Sequence, residues 1–105
     1  MPKEQKFSIS IFVEISCYEK KILTCVQIDT GVEVSLGKEF LFNNWINNPI
    51  RISMQVVTGE KYVLDKVCLK PEIIIGSKIV AIRQLHAYNK LDVDLLLGND
   101  FIQQF

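Results

Sequence analysis

Residues 7–16, Phe-Ser-Ile-Ser-Ile-Phe-Val-Glu-Ile-Ser, repeat with a period of two. Phe7, Ile9, Ile11, Val13 and Ile15 share one face, and Ser8, Ser10, Glu14 and Ser16 share the other. Such a segment buries one side only when it is extended, because successive side chains of a strand point to opposite faces. The remaining apolar runs are short and separated by turn residues. Residues 22–28 follow the polar 18–21 and complete a first hairpin. Residues 50–57 and 61–69 flank Thr58-Gly59-Glu60, and 71–75 and 78–85 flank Gly76-Ser77, so two more hairpins are expected around glycine turns. Residues 32–36 have strand propensity. Residues 37–49 contain one Gly, one Pro and four Asn, and read as an irregular connection anchored by Phe40, Phe42 and Trp45. Residues 86–90 read as a loop with His86 in solvent. Val93–Leu97 form a short buried strand, and Gly98-Asn99-Asp100 open a helix. The expectation is an all-β chain of seven or eight strands with one or two helical turns at its end.

Length and charge narrow the function. At 105 residues the chain fits a single domain spanning 1–105, with one core. Twelve basic and twelve acidic residues cancel, so the clustered positive charge that nucleic-acid binding relies on is not expected. No run approaches the ~18 apolar residues of a membrane helix, and Met1–Phe7 has no signal-like apolar core. A soluble intracellular protein, or a piece excised from a larger one, is expected. Cys17, Cys25 and Cys68 form no C-x-x-C pair, and with one histidine they make no zinc site of familiar spacing. They read as buried thiols in a reducing compartment.

One short segment carries chemistry. Gln27-Ile28-Asp29-Thr30-Gly31 ends a strand on a carboxylate followed by a glycine. An aspartate there is commonly a turn residue, bonding the backbone two positions on. A second element lies far downstream, Leu96-Leu97-Gly98, just before the helix start. The order strand–DTG, glycine-tipped hairpin, apolar-apolar-Gly–helix covers most of the chain. In these features it resembles the retroviral-type aspartic proteases, and looks most like those of plant pararetroviruses (the caulimovirus and badnavirus/tungrovirus group). Asp29-Thr30-Gly31 matches the catalytic triplet, and Leu97-Gly98-Asn99-Asp100-Phe101 matches that group's GN-x-F segment. The resemblance spans roughly residues 7–105.

This resemblance implies a retropepsin-like closed β-barrel with a flap hairpin and one short C-terminal helix. It also implies peptide hydrolysis by water activated between two aspartates, without metal or cofactor. Two carboxyls about 3 Å apart cannot both ionise, so they share one proton. The sequence holds one such triplet, and Asp92, Asp94 and Asp100 lack its context. The second aspartate is therefore expected from another copy, in a two-fold homodimer. Asp29 would be catalytic, with Thr30 and Gly31 completing the active-site loop and Thr30 locking the two triplets together. Val32 and Glu33 would line the substrate channel, Val57, Thr58, Gly59 and Glu60 would form the flap, and Leu97, Gly98 and Asn99 would support the site. The substrate would be a viral polyprotein in the host-cell cytoplasm, from which the protease is itself released; no nucleic-acid or membrane partner is implied.

The sequence departs from the family pattern at two positions. Val32 replaces the small residue usual after the triplet, and Asn99 replaces an arginine that pairs with the acid here represented by Glu33. Losing that charge-assisted pair predicts a looser dimer. Many relatives continue into a further strand of the dimer sheet, whereas the sequence stops at Phe105; either the piece ends short of that strand, or residues 1–7 supply those contacts instead. Two other readings stay open: a catalytically silent dimerisation or peptide-binding module, and a retrotransposon or cellular protease of the same fold.

Overall fold

The structure, a computed structural model, describes residues 8–17, 20–55, 59 and 61–105. Its strands are β1 (Ser8–Cys17), β2 (Lys20–Asp29), β3 (Leu36–Gly37), β4 (Ile46–Gln55), β5 (Lys61–Leu69), β6 (Glu72–Ile75), β7 (Lys78–Ala81), β8 (Gln84–Ala87) and β9 (Leu95–Leu97). A 3-10 turn occupies Glu39–Leu41, and one helix, α1, spans Asn99–Ile102. All nine strands join one sheet in the order β4-β5-β8-β3-β9-β2-β1-β6-β7. The fold is the expected all-β, retropepsin-like one, with the short helix at the C-terminal end. The sheet is not the closed barrel expected: among the described residues β4 and β7 are its two edges.

The alternation in β1 does what its period requires. Val13 and Ile15 are buried while Phe12 faces outward, and β1 pairs with β2 from Ser8↔Asp29 to Cys17↔Lys20. The main core gathers Val13, Ile15, Val26, Ile73, Val80, Leu85, Leu95, Leu97 and Phe101. A smaller cluster of Leu36, Leu64 and Leu96 lies apart from it, with Val32, Val34, Ile52 and Met54 packed against it.

Several local expectations are corrected. Strand β3, Leu36–Gly37, takes in only Leu36 of the expected 32–36 run, because the carbonyls of Val32 and Glu33 accept hydrogen bonds from the start of α1 instead of a ladder. Strand β4 begins at Ile46, inside the supposed connection, and runs through Pro49. A residue without an N–H is tolerated there because β4 is an edge strand whose register shifts between Asn47 and Ile52. Of the aromatic anchors, Phe42 is buried and Trp45 donates its ring N–H to the Glu39 carbonyl at 2.7 Å, but Phe40 is exposed. The cysteines are not three buried thiols. Cys17 of β1 and Cys68 of β5 are buried with their sulfur atoms next to each other, and Cys25 is exposed on β2.

His86 is the largest departure from the sequence reading. It belongs to β8, pairs with Leu36 of β3 and Val67 of β5, and is 1% exposed. Its Nε2 lies 3.3 Å from Gln84 Nε2, and Nδ1 has no partner among the described residues. Burial lowers its pKa from the ordinary 6.5, against a smaller raising effect of Asp100. The unfolded chain therefore takes up this proton first as pH falls. The stability tied to a neutral His86 is complete above 6.5 and is lost as pH drops from there toward the lower folded value. Because this is the chain's single histidine, its imidazole resonances report it directly. An NMR titration should place the midpoint below 6.5; a midpoint at or above that value contradicts the burial.

Candidate active site

Strand β9 explains how Asp29 is presented. It lies between β2 and β3, parallel to β2 (Val26↔Leu95, Ile28↔Leu97) and antiparallel to β3 (Leu36↔Leu96). The chain thus leaves β2 at Asp29, crosses the end of β9 in the loop 30–35, and returns on its other side as β3. Asp29 is half-buried at the strand end. Its Oδ1 accepts the Gly31 N–H at 2.8 Å, the two-residue turn bond expected of such an aspartate. Thr30 and Gly31 are exposed, Val32 is half-buried against the smaller core cluster, and Glu33 is exposed.

The crossing loop is held from beneath by the turn between β9 and α1. The Asn99 N–H donates to Val32 O at 2.7 Å and the Asp100 N–H to Glu33 O at 3.2 Å. Asn99 Nδ2 donates to Thr30 O at 3.1 Å and reaches Glu33 Oε1 at 3.5 Å. The amide at residue 99 therefore does meet Glu33, but it divides its reach between that carboxylate and the loop backbone. Leu97 is fully buried in the main core. The sequence-predicted residues Asp29, Thr30, Val32, Glu33, Gly98 and Asn99 are thus brought together at one end of the sheet.

Gly98 sits directly under the crossing. A Cβ there would stand 2.5 Å from Val32 O and 3.1 Å from the carbonyl carbons of Val32 and Val34, all backbone atoms that no rotamer change moves away. The loop rests at this height because residue 98 has no side chain.

The expected flap falls on the hairpin of β4 and β5, whose last described pair is Gln55↔Lys61. Val57, Thr58 and Glu60 lie outside the described residues. Gly59 is exposed with φ +90°, a backbone conformation suited to glycine at a turn. The sequence reading missed Ser35 and Asp100. Ser35 is 0% exposed, donates its N–H and O–H to the Asp100 carboxylate at 2.9 and 2.6 Å, and accepts the Gly98 N–H at 3.1 Å. The only trace of this in the sequence is a polar residue placed between apolar ones at the start of β3.

Gly98→Ala should destabilise the chain by about 1–3 kcal/mol, the range for forcing an extra carbon into a filled space. The midpoint of chemical denaturation measures it, and an unchanged midpoint would mean that the crossing loop yields freely.

Among the described residues no helix is long and apolar enough to cross a membrane. The model of the cauliflower mosaic virus peptidase (A3) family matches residues 8–105. The chain is also 28% identical over 90 residues to the enzymatic polyprotein of cauliflower mosaic virus (strain D/H). That match covers 84% of this chain and 13% of the polyprotein, so the chain spans a small part of its relative's length. With the family's match running from β1 to the last residue of the crossing-loop support and beyond, the chain belongs to the cauliflower mosaic virus peptidase (A3) family.

Proposed function

We propose that this viral-type peptidase is an aspartic endopeptidase that works as a homodimer and cleaves a polyprotein. The observation that carries the reading is the placement of Asp29: a lone carboxylate at a strand end, in a loop whose backbone is tied down on its inner side by Asn99 and Asp100. Preorganisation of this kind is what a catalytic carboxylate needs, since small misplacements of a reacting group are costly in rate.

Asp29 of one copy and Asp29 of a second face each other across the two-fold axis. One carboxylate takes a proton from water, and its protonated partner donates a hydrogen bond to the peptide carbonyl. The attacked carbon becomes tetrahedral, and the amide nitrogen leaves as the amine after receiving a proton from the pair. The proton belongs to the pair, and activity requires that the pair hold one. Thr30 and Gly31 complete the loop at the axis. Val32 and Glu33 flank an extended substrate, and the β4–β5 hairpin with Gly59 near its tip closes over it and excludes water. No metal or cofactor takes part, residues 1–105 act as one domain, and the enzyme works in the cytoplasm of the host cell.

Incubation of the chain with a fragment of its polyprotein tests this. Cleavage should have a bell-shaped pH dependence and should be abolished by Asp29→Asn. Cleavage that survives Asp29→Asn rejects the mechanism. A native chain that cleaves nothing across the pH range at high concentration points instead to a binding module.

A further inference from the structure

The Ser35–Asp100 pair has no part in the proposed hydrolysis, yet it uses polar groups unusually fully. One Asp100 carboxylate accepts three protein donors: Ser35 N–H at Oδ2 (2.9 Å), Ser35 O–H at Oδ1 (2.6 Å) and Phe101 N–H at Oδ1 (2.8 Å). Ser35 is equally committed. Its Oγ accepts the Gly98 N–H at 3.1 Å and its carbonyl accepts the His86 N–H at 3.2 Å. The Phe101 bond is local, made to the next residue of α1. The other two donors come from a residue 65 positions earlier in the chain, at the far end of the loop that begins with Asp29.

We infer that Asp100 is a positioning residue for Asp29, acting through Ser35 to fix the C-terminal end of the crossing loop against the β9–α1 turn. Asn99 holds the near end of the same loop by Thr30 O, so the segment is tied at both ends and its height is set by Gly98 between them. A carboxylate suits the position because every group presented to it is a donor. An amide keeps one acceptor oxygen but turns an N–H₂ toward those donors. Loss of the acceptor leaves the buried Ser35 N–H and O–H unpaired, which the loop relieves by moving toward water. The carboxylate of Asp29, at the other end of that loop, moves with it.

The inference rests on the catalytic reading of Asp29, and the test separates the two. Ser35→Ala, Asp100→Ala, Asp100→Asn and the Ser35→Ala/Asp100→Ala pair are compared with the unaltered chain, each at a concentration and temperature where it is folded. With a peptide substrate, Asp100→Ala should lower kcat on the order of tenfold to a hundredfold while KM changes little, the effect of a displaced reacting group. Asp100→Asn should recover part of the loss. The double variant should be no slower than Asp100→Ala, because both substitutions break one tie. A kcat within about twofold of the unaltered enzyme, or losses that multiply in the double variant, overturns the inference. If the unaltered chain cleaves nothing, the reading of Asp29 is what fails, and amide hydrogen exchange still decides the tie. In Asp100→Ala the Ser35 amide should exchange at least about tenfold faster while the amides of the β1–β2 ladder keep their rates. Unchanged protection of Ser35 overturns it.

Discussion

Between β2 and β3 the chain has to pass over the end of a third strand, and it does so with Val32 O only 2.5 Å from where a Cβ on residue 98 would stand. Most of the site's geometry descends from that passage. Strand β9, all three residues of which are buried, pairs on both sides and carries Gly98 at its end. Because the loop lies so close, its carbonyls at Val32 and Glu33 reach the N–H groups that open α1, which otherwise would lack partners. The short helix is thereby satisfied at its start, and the loop is held without a strand ladder of its own. Asp29 stands at the point where the ordered strand gives way to this supported crossing.

Local period and turn chemistry were legible in the sequence, and long-range pairing was not. The alternation of β1 predicted the buried Val13 and Ile15, and the apolar run before Gly98 predicted a buried strand, because both depend only on neighbouring side chains. Asp29, Gly98 and Asn99 were recognisable as a set only through their resemblance to a family, since nothing local says that residues so far apart meet. Ser35 and Asp100 escaped for the same reason: each is ordinary by itself, and their meaning lies in a contact across 65 positions. His86 was misjudged because a polar residue among Ala, Tyr, Asn and Lys reads as loop, whereas β8 is held between β3 and β5 and takes its partners from both. Propensity also failed at Pro49, where an edge position and a register shift accommodate what a central strand would reject.

The departure at residue 99 acquires a physical sense in this setting. An arginine would spend its charge on Glu33. Asn99 instead bonds the Thr30 carbonyl and only reaches toward Glu33, so it supports the loop backbone within one chain. The carboxylate of Asp100 accepts from Ser35 at the loop's far end, beside the fully buried Ser35 side chain. In the proposed dimer, support of the catalytic loop is thus largely internal to each copy, and what the second copy supplies is the other aspartate.

The proposed sharing of one site between two chains is tested most directly by mixing. Unaltered chain and Asp29→Asn chain are unfolded together, refolded at increasing proportions of the variant, and assayed at constant unaltered chain. Sharing predicts that activity falls as mixed dimers form, down to about half in an equimolar mixture, because a mixed pair lacks one aspartate. At concentrations where sedimentation shows the chains to be dimeric, activity that stays constant however much Asp29→Asn chain is present would contradict it.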